Sequence, residues 1–346
     1  MKFLKDVDFK NKRVLLRAGF NVPIENGIIK DDWRIRATLP TIKYILKQPK
    51  SKLVIISHLG RPDGKANPDY SLRVVADRLS ELLGKEVKFI EDILSPEGDN
   101  IIQSLGEGEI ALVENIRFYP EEEQGNEQFA IEISHHFGVF VNDAFCDSHR
   151  AHASISVIPK FKPSCAGLIM EKEIGELTKA LNPPKRPSLA IIGGIKIETK
   201  LPVIEELAKV YDIILVGGKI GIEAQEKNIK LQENVILPED YVDGKDIGPK
   251  TAEKYAKVIE AAAFAVWNGA LGKFEEVEYA AGTMAVFNAL CKADSYKIAG
   301  GGETVEIIQN YKKNDCFDFI SSGGGAMLEF LAGEKLPGII ALEENA

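Results

Sequence analysis

Arginine and histidine are unevenly spread along this 346-residue chain: nine of the ten arginines and all five histidines fall within the first 152 residues. Arginine presents a planar fork that grips carboxylate or phosphate oxygens in pairs, so this half carries the groups suited to a small, multiply charged anion. Several of these arginines occur where strands should end, in Ser57-His58-Leu59-Gly60-Arg61-Pro62 and in Glu114-Asn115-Ile116-Arg117-Phe118. The second half keeps a single arginine, Arg186, and repeats a different device five times: an apolar run, glycines, then a helical pattern. The runs are Leu189–Ile192, Ile213–Val216, Phe264–Trp267, Lys297–Ala299 and Phe317–Ser322. One glycine doublet equally suits any tight turn. Five of them, at the carboxyl ends of parallel strands, place helix N-termini and free amides along one edge, which is how a polyphosphate is cradled.

Several other chemistries are excluded by motif. Each Gly-Lys pair, at Gly64, Gly84, Gly218, Gly244 and Gly272, lacks the following Ser or Thr of a P-loop, and there is no GxGxxG, HExxH or GxSxG. His149-Arg150-Ala151-His152 and His135-His136 are conceivable metal ligands, but anion binding is the better reading of an arginine between two histidines. Cys146, Cys165, Cys291 and Cys316 show neither CxxC nor zinc-ligand spacing, so neither a disulfide nor a structural metal is expected.

The elements that must position these residues follow from periodicity. The length argues for two domains, and 45% apolar with 27% charged residues is a globular composition. A formal charge of −9 disfavours nucleic acid and anionic membranes as partners. The longest charge-free stretch, Tyr279 to Cys291, has 13 residues, too short to span a bilayer, and the charged start lacks the apolar core of a signal peptide. A cytoplasmic protein is expected. Strands are predicted at Arg13–Phe20, Lys52–Ser57, Val87–Ile90, Glu109–Val113 and Gly138–Asn142, with helices at Arg36–Lys47 and at Leu72–Leu83, the latter capped by Ser71. Gly167–Leu181 reads as one amphipathic helix stopped by Asn182-Pro183-Pro184, a natural hinge. The alternation is that of an α/β chain with mainly parallel sheets.

With these residues in view the chain closely resembles the phosphoglycerate kinase family. The likeness runs end to end through VLLRAGFNVP (Val14–Pro23), Arg34-Ile35-Arg36-Ala37, SHLGRPDG (Ser57–Gly64), ENIRFYPEEE (Glu114–Glu123), VNDAFCDSHRAH (Val141–His152) and AIIGGIKIETK (Ala190–Lys200). It continues in WNGALGKFE (Trp267–Glu275), GGGET (Gly300–Thr304), GGGAML (Gly323–Leu328) and Leu336-Pro337-Gly338.

The resemblance implies two Rossmann-like three-layer lobes facing across a cleft and joined by an interdomain helix and hinge. A phosphoglycerate lobe would comprise residues 1–166 with the tail 331–346, and a nucleotide lobe residues 167–330. It implies a reversible phosphoryl transfer between 1,3-bisphosphoglycerate and ADP, giving 3-phosphoglycerate and ATP, with Mg2+ and domain closure, in a monomer. Asn21, Arg34, His58, Arg61, Arg117 and Arg150 would hold the phosphoglycerate. Gly194, Lys196, Lys200, Gly218, Asn268, Glu275, Gly301, Gly302, Glu303, Thr304 and Gly324 would serve the nucleotide. Glu303 would be the magnesium carboxylate, and Arg34 and Lys196 would be catalytic, meeting the charge that spreads over the transferring group.

Four departures qualify this picture. Gly19 stands where the family carries an Asp that binds the substrate hydroxyl, a hydrogen bond of roughly 1.5–3 kcal/mol, so Gly19→Asp is expected to tighten phosphoglycerate unless the backbone depends on glycine there. Glu303 replaces the family's Asp and Ala270 its Pro. Gly218 reaches Pro238 in only 20 residues, which shortens the wall of the base pocket. The alternative reading is a phosphoglycerate-kinase-like paralogue that binds ligand as a regulatory protein; a dehydrogenase would need the dinucleotide fingerprint that is absent.

Overall fold

The structure is a computed structural model describing residues 1–345. Its contacts separate two units, one formed by Met1–Lys172 with the chain from Lys335 onward, the other by Glu173–Glu334. Among the described residues no helix is long and apolar enough to cross a membrane.

In the first unit the strands are β1 (Arg13–Arg17), β2 (Ile24–Glu25), β3 (Ile28–Ile29), β4 (Lys52–Ile56), β5 (Val87–Ile90), β6 (Ile110–Val113), β7 (Val139–Asn142) and β8 (Ser164–Ala166). Six of them form a wholly parallel sheet in the order β5-β6-β4-β1-β7-β8, while β2 and β3 make a small antiparallel ribbon. Alternation of side chains along a strand sends them to opposite faces. Val14, Leu16, Leu53 and Ile55 join one buried cluster with Ile35, Ile42, Val75 and Leu79 of helices Trp33–Leu46 and Arg73–Leu83. Leu15, Val54 and Ile56 join another with Ile102, Phe129 and Ile133 of helices Pro96–Ser104 and Glu127–Ser134. Covered on both faces, the strands read as continuous apolar runs. The first predicted strand stops at Arg17, three residues early, because Ala18 to Pro23 leave the sheet to form a loop. Helix Arg73–Leu83 is entered through Leu72, with Ser71 Oγ accepting from the Arg73 amide at 3.2 Å, and Gly84 ends it in the left-handed conformation. The last helix, Pro337–Glu344, lies in this unit, where the Gly338 amide donates to the Ser148 carbonyl at 2.9 Å.

The second unit contains β9 (Ser188–Ile192), β10 (Ile213–Val216), β11 (Val235–Ile236), β12 (Tyr241–Val242), β13 (Asp246–Ile247), β14 (Phe264–Asn268), β15 (Tyr296–Gly300) and β16 (Phe319–Ser321). The sheet is again wholly parallel, in the order β11-β10-β9-β14-β15-β16, and β12 and β13 form an antiparallel ribbon. Helix Leu168–Leu181 runs through the boundary between the units and ends immediately before Asn182-Pro183-Pro184, since proline there cannot donate to a continuing helix.

One expectation is corrected here. Cys291 and Cys316 form a disulfide, with Cα atoms 4.9 Å apart across 25 residues of sequence. Absence of a CxxC motif speaks only to local pairing. Helix Ala281–Lys292 and the turn Asn314–Cys316 are brought together by the aromatic packing of Phe287 and Phe317 on Trp267. Cys146 and Cys165 are free thiols.

Candidate functional site

A parallel sheet brings the carboxyl ends of all its strands to one edge, and most predicted residues lie at strand ends, in the loops that leave them or on the first turn of a helix. In the first unit Arg17 ends β1 opposite Ile56 of β4 and Asn142 of β7, so the loops bearing His58 and Asp147 flank it. Arg17 is fully buried. Its Nε donates to Ser154 Oγ at 2.9 Å and its Nη1 to the Ala18 carbonyl at 2.6 Å; its Nη2 lies 3.1 Å from His58 Nδ1 and 3.3 Å from Asp147 Oδ2. Glu122, also buried, accepts from the amide and hydroxyl of Ser154 and completes the chain of bonds behind the arginine.

Guanidinium has no acceptor atom, so Nδ1 of His58 is the accepting nitrogen and the ring proton sits on Nε2. Burial, then Arg17, Arg117 and Arg150, hold the His58 pKa well below the usual imidazole value, and His58 is neutral near pH 7. Asp147 is the counter-charge: burial alone would raise its pKa, yet the charges of Arg17, Arg117 and Arg150 hold it well below the usual carboxylate range.

Arg117 follows β6 in a short turn and is 2% exposed. Its Nη1 donates to the Gly60 carbonyl at 2.9 Å, while Nε and Nη2 are buried without a hydrogen-bond acceptor. Gly60 adopts φ +62° with the Tyr70 ring where a Cβ would sit, so only glycine presents that carbonyl. Arg150 is half-buried and its charge acts on Arg117, His58 and Asp147. Arg34, on the first turn of helix Trp33–Leu46, carries a charge that acts on the Cys146 thiol. Asn21 and Arg61 lie at the exposed rim, where Asn21 Oδ1 accepts from the Gly60 amide at 3.0 Å. Asp147 and Cys146 were not singled out from sequence as site residues, although both stand inside the VNDAFCDSHRAH segment.

In the second unit Asn268 ends β14 opposite Ile192 of β9 and Gly300 of β15. Lys200 Nζ donates to Asn268 Oδ1 at 2.5 Å, and the Asn268 amide donates to the Gly300 carbonyl at 2.9 Å. Burial pulls the Lys200 ammonium down to about 8, opposed by the negative charge of Glu303. Thr304 Oγ1 accepts from the Gly269 amide at 2.7 Å and Glu303 Oε2 from the Ala270 amide at 3.2 Å, so the start of helix Gly302–Asn310 is stitched to the loop after β14. Backbones nearly touch here: a Cβ on Gly269 would lie 2.2 Å from the Gly193 carbonyl oxygen.

Two cavities open on this edge. One, about 460 Å³, is lined by Gly194, Lys196, Lys200, Asn268, Gly301, Gly302, Glu303 and Gly324, which unites most of the predicted nucleotide residues. The other, about 240 Å³, is lined by Gly218 and Glu275 together with Lys219, Lys245, Lys273 and Phe274, which sequence reasoning had not assigned. Lys196 stands exposed at the entry to helix Ile197–Ala208. Together the two cavities offer amides, ammonium groups and two carboxylates, Glu275 and Glu303, a set that suits phosphate oxygens and a hard cation.

Comparison with known proteins agrees with this arrangement. The family model for phosphoglycerate kinase matches residues 4–229 and 221–334. The chain is similar over its whole length to the solved phosphoglycerate kinase of Coxiella burnetii, with 32% identity, a TM-score of 0.85 and 99% of that chain covered. It is also similar to the phosphoglycerate kinase of Pyrococcus horikoshii OT3, with 33% identity, a TM-score of 0.86 and full coverage of this chain against 99% of the other. With its two parallel-sheet units and its separate arginine and lysine–glycine loop sets, the chain belongs to the phosphoglycerate kinase family.

Proposed function

We propose that this protein is a magnesium-dependent phosphoglycerate kinase that reversibly transfers a phosphoryl group between 1,3-bisphosphoglycerate and ADP, giving 3-phosphoglycerate and ATP. The observation that carries the reading is the pair of Arg117 donors, Nε and Nη2, buried amid Arg17, His58 and Arg150 with only the ion-pair neighbours Glu123 (3.3 Å) and Asp147 (3.7 Å) and no hydrogen-bond acceptor. Buried guanidinium donors left unmatched are costly, and a phosphorylated acid satisfies them. In the other unit Lys200, Asn268 and the Gly301–Thr304 loop supply what a nucleotide phosphate chain requires.

Glu303 fits a magnesium ligand by its donor chemistry: a carboxylate beside lysines and free amides, one oxygen tied to the Ala270 amide. Magnesium takes one or two carboxylates and completes its shell with phosphate oxygens and water. When bound, the ion neutralises phosphate charge. Arg34 and Lys196 are assigned to the charge on the transferring group, and direct transfer requires the two residue sets to meet during turnover, which also excludes hydrolysis. The test is a coupled assay of purified protein with 3-phosphoglycerate, magnesium and either ATP or GTP. Turnover supports the proposal; ligand binding without turnover of either nucleotide favours the regulatory paralogue.

A further inference from the structure

Asp147 is an anomaly in a site built to attract anions. Its carboxylate is 5% exposed: Oδ2 is 3.3 Å from Arg17 Nη2 and equally far from the unprotonated His58 Nδ1, which offers it no hydrogen, and Oδ1 is 3.7 Å from Arg117 Nη2. The Oδ1 separation is that of an ion pair and is too long for a hydrogen bond. Arg117 Nη2 is itself buried without an acceptor. Acceptor capacity on Asp147 and donor capacity on Arg117 therefore face each other and do not satisfy one another. A bare anion would match Arg117 and be repelled by Asp147. A ligand that carries an anionic oxygen next to an O–H group matches both.

The neighbouring geometry locks the carboxylate at this position. Cys146, adjacent in the chain, fills the space beside Gly19, where a Cβ would lie 2.9 Å from its Sγ. Gly19 does not have the positive φ that favours glycine, and the one atom a Cβ there would crowd is the thiol sulfur. Cys146 Sγ in turn lies 3.8 Å from Asp147 Oδ2, so the thiol and the carboxylate sit side by side next to Gly19.

We propose that Asp147 is the specificity-determining residue that accepts a hydrogen bond from a substrate hydroxyl, selecting hydroxy-acid phosphates over their deoxy analogues, with Cys146 occupying the room a carboxylate at position 19 would need. This rests on the assignment of the first unit to phosphoglycerate. A hydrogen bond to a charged acceptor is worth about a ten- to hundredfold preference, whereas a counter-ion that only neutralises Arg17 discriminates nothing.

The experiment is calorimetric titration of the full-length protein with 3-phosphoglycerate and with 3-phosphonooxypropanoate, the same molecule without its hydroxyl. The wild type is expected to bind the hydroxy acid at least tenfold more tightly, and Asp147→Asn to lose about tenfold of that preference while binding the deoxy compound as well as or better than the wild type, since a repelling charge is gone. Equal binding of the two compounds by the wild type overturns this inference alone. So does a parallel weakening of both in Asp147→Asn, which would make Asp147 a partner of Arg17 and nothing more. Binding of neither compound by the wild type overturns the phosphoglycerate assignment as well. Thermal melting accompanies the variant, and if it fails to fold, the two wild-type titrations decide.

Discussion

A neutral His58 that accepts from Arg17 shows how charge is managed residue by residue around the anion site. His152 shares the pattern: burial, then Arg117 and Arg17, pull its pKa down to about 4. The unfolded chain takes up protons on these imidazoles from pH 6.5 downward and the folded chain does not, so the stability they contribute is complete above pH 6.5 and is lost as pH falls toward 4. Asp143, raised by burial to about 6, and Glu122, raised likewise, act in the opposite sense, because the folded chain holds their protons longer. His152→Asn is therefore predicted to flatten the decline of the unfolding free energy, read from urea titrations, between pH 6.5 and 5 by up to about 1.4 kcal/mol per pH unit. An unchanged slope would place the histidine outside this linkage. At position 19 the contact with Cys146 reverses the expectation from sequence: Gly19→Asp alone should weaken 3-phosphoglycerate binding, and combination with Cys146→Gly should relieve the loss, as titration of the two variants will show. In the second unit Lys196→Ala is predicted to lower kcat by a factor of about 10²–10³ with little change in nucleotide KM, because its charge is assigned to the transition state. A raised KM at constant kcat would move Lys196 to ground-state binding.

Strand ends and helix starts work as pairs. The loops after β9, β10, β15 and β16 each leave a buried strand, pass through glycine and enter a helix. Gly302 opens helix Gly302–Asn310 with nothing within 4 Å of where a Cβ would lie, so space and helix propensity both tolerate alanine there. Gly302→Ala is predicted to stabilise the protein by about 0.5–1 kcal/mol and to weaken nucleotide, since the methyl group intrudes where phosphate approaches the amides. Melting curves and nucleotide titration read the two effects separately; full nucleotide affinity in the variant would remove this loop from the phosphate site. Gly269, by contrast, combines φ +92° with close approach to the Gly193 carbonyl, and no side chain fits without moving one backbone.

At the scale of the whole molecule, each unit has its own sheet and buried core, and the disulfide Cys291–Cys316 lies entirely within the second. Closing a loop of 25 residues restricts the unfolded ensemble by about 3.5 kcal/mol on the loop-entropy relation. Calorimetry with and without reductant is predicted to show the second unit's transition moving down while the first unit's stays in place. A shift of both together would mean that the units unfold as one cooperative block.

Periodicity and punctuation are local properties, and they determined a great deal from the sequence alone: the α/β class, the strand runs from Lys52 and from Phe264, the end of helix Leu168–Leu181 at its Asn-Pro-Pro stop, and the order of motifs that carries the family resemblance. They also put Arg117 just after a strand end, where ligands bind. Short β8 and β11 were not legible, since three and two residues carry no period. Nor were the encounters between distant segments. Asp147 meets Arg17 across 130 residues because β1 lies between β4 and β7 in the sheet, and Cys146 fills the space at Gly19 for the same reason. Asp99 reaches His136 at 2.7 Å, a carboxylate–imidazole pair that no spacing announced. Strand order decides such meetings, and strand order is set by how whole layers bury their apolar faces, a collective free energy that no single stretch of residues encodes.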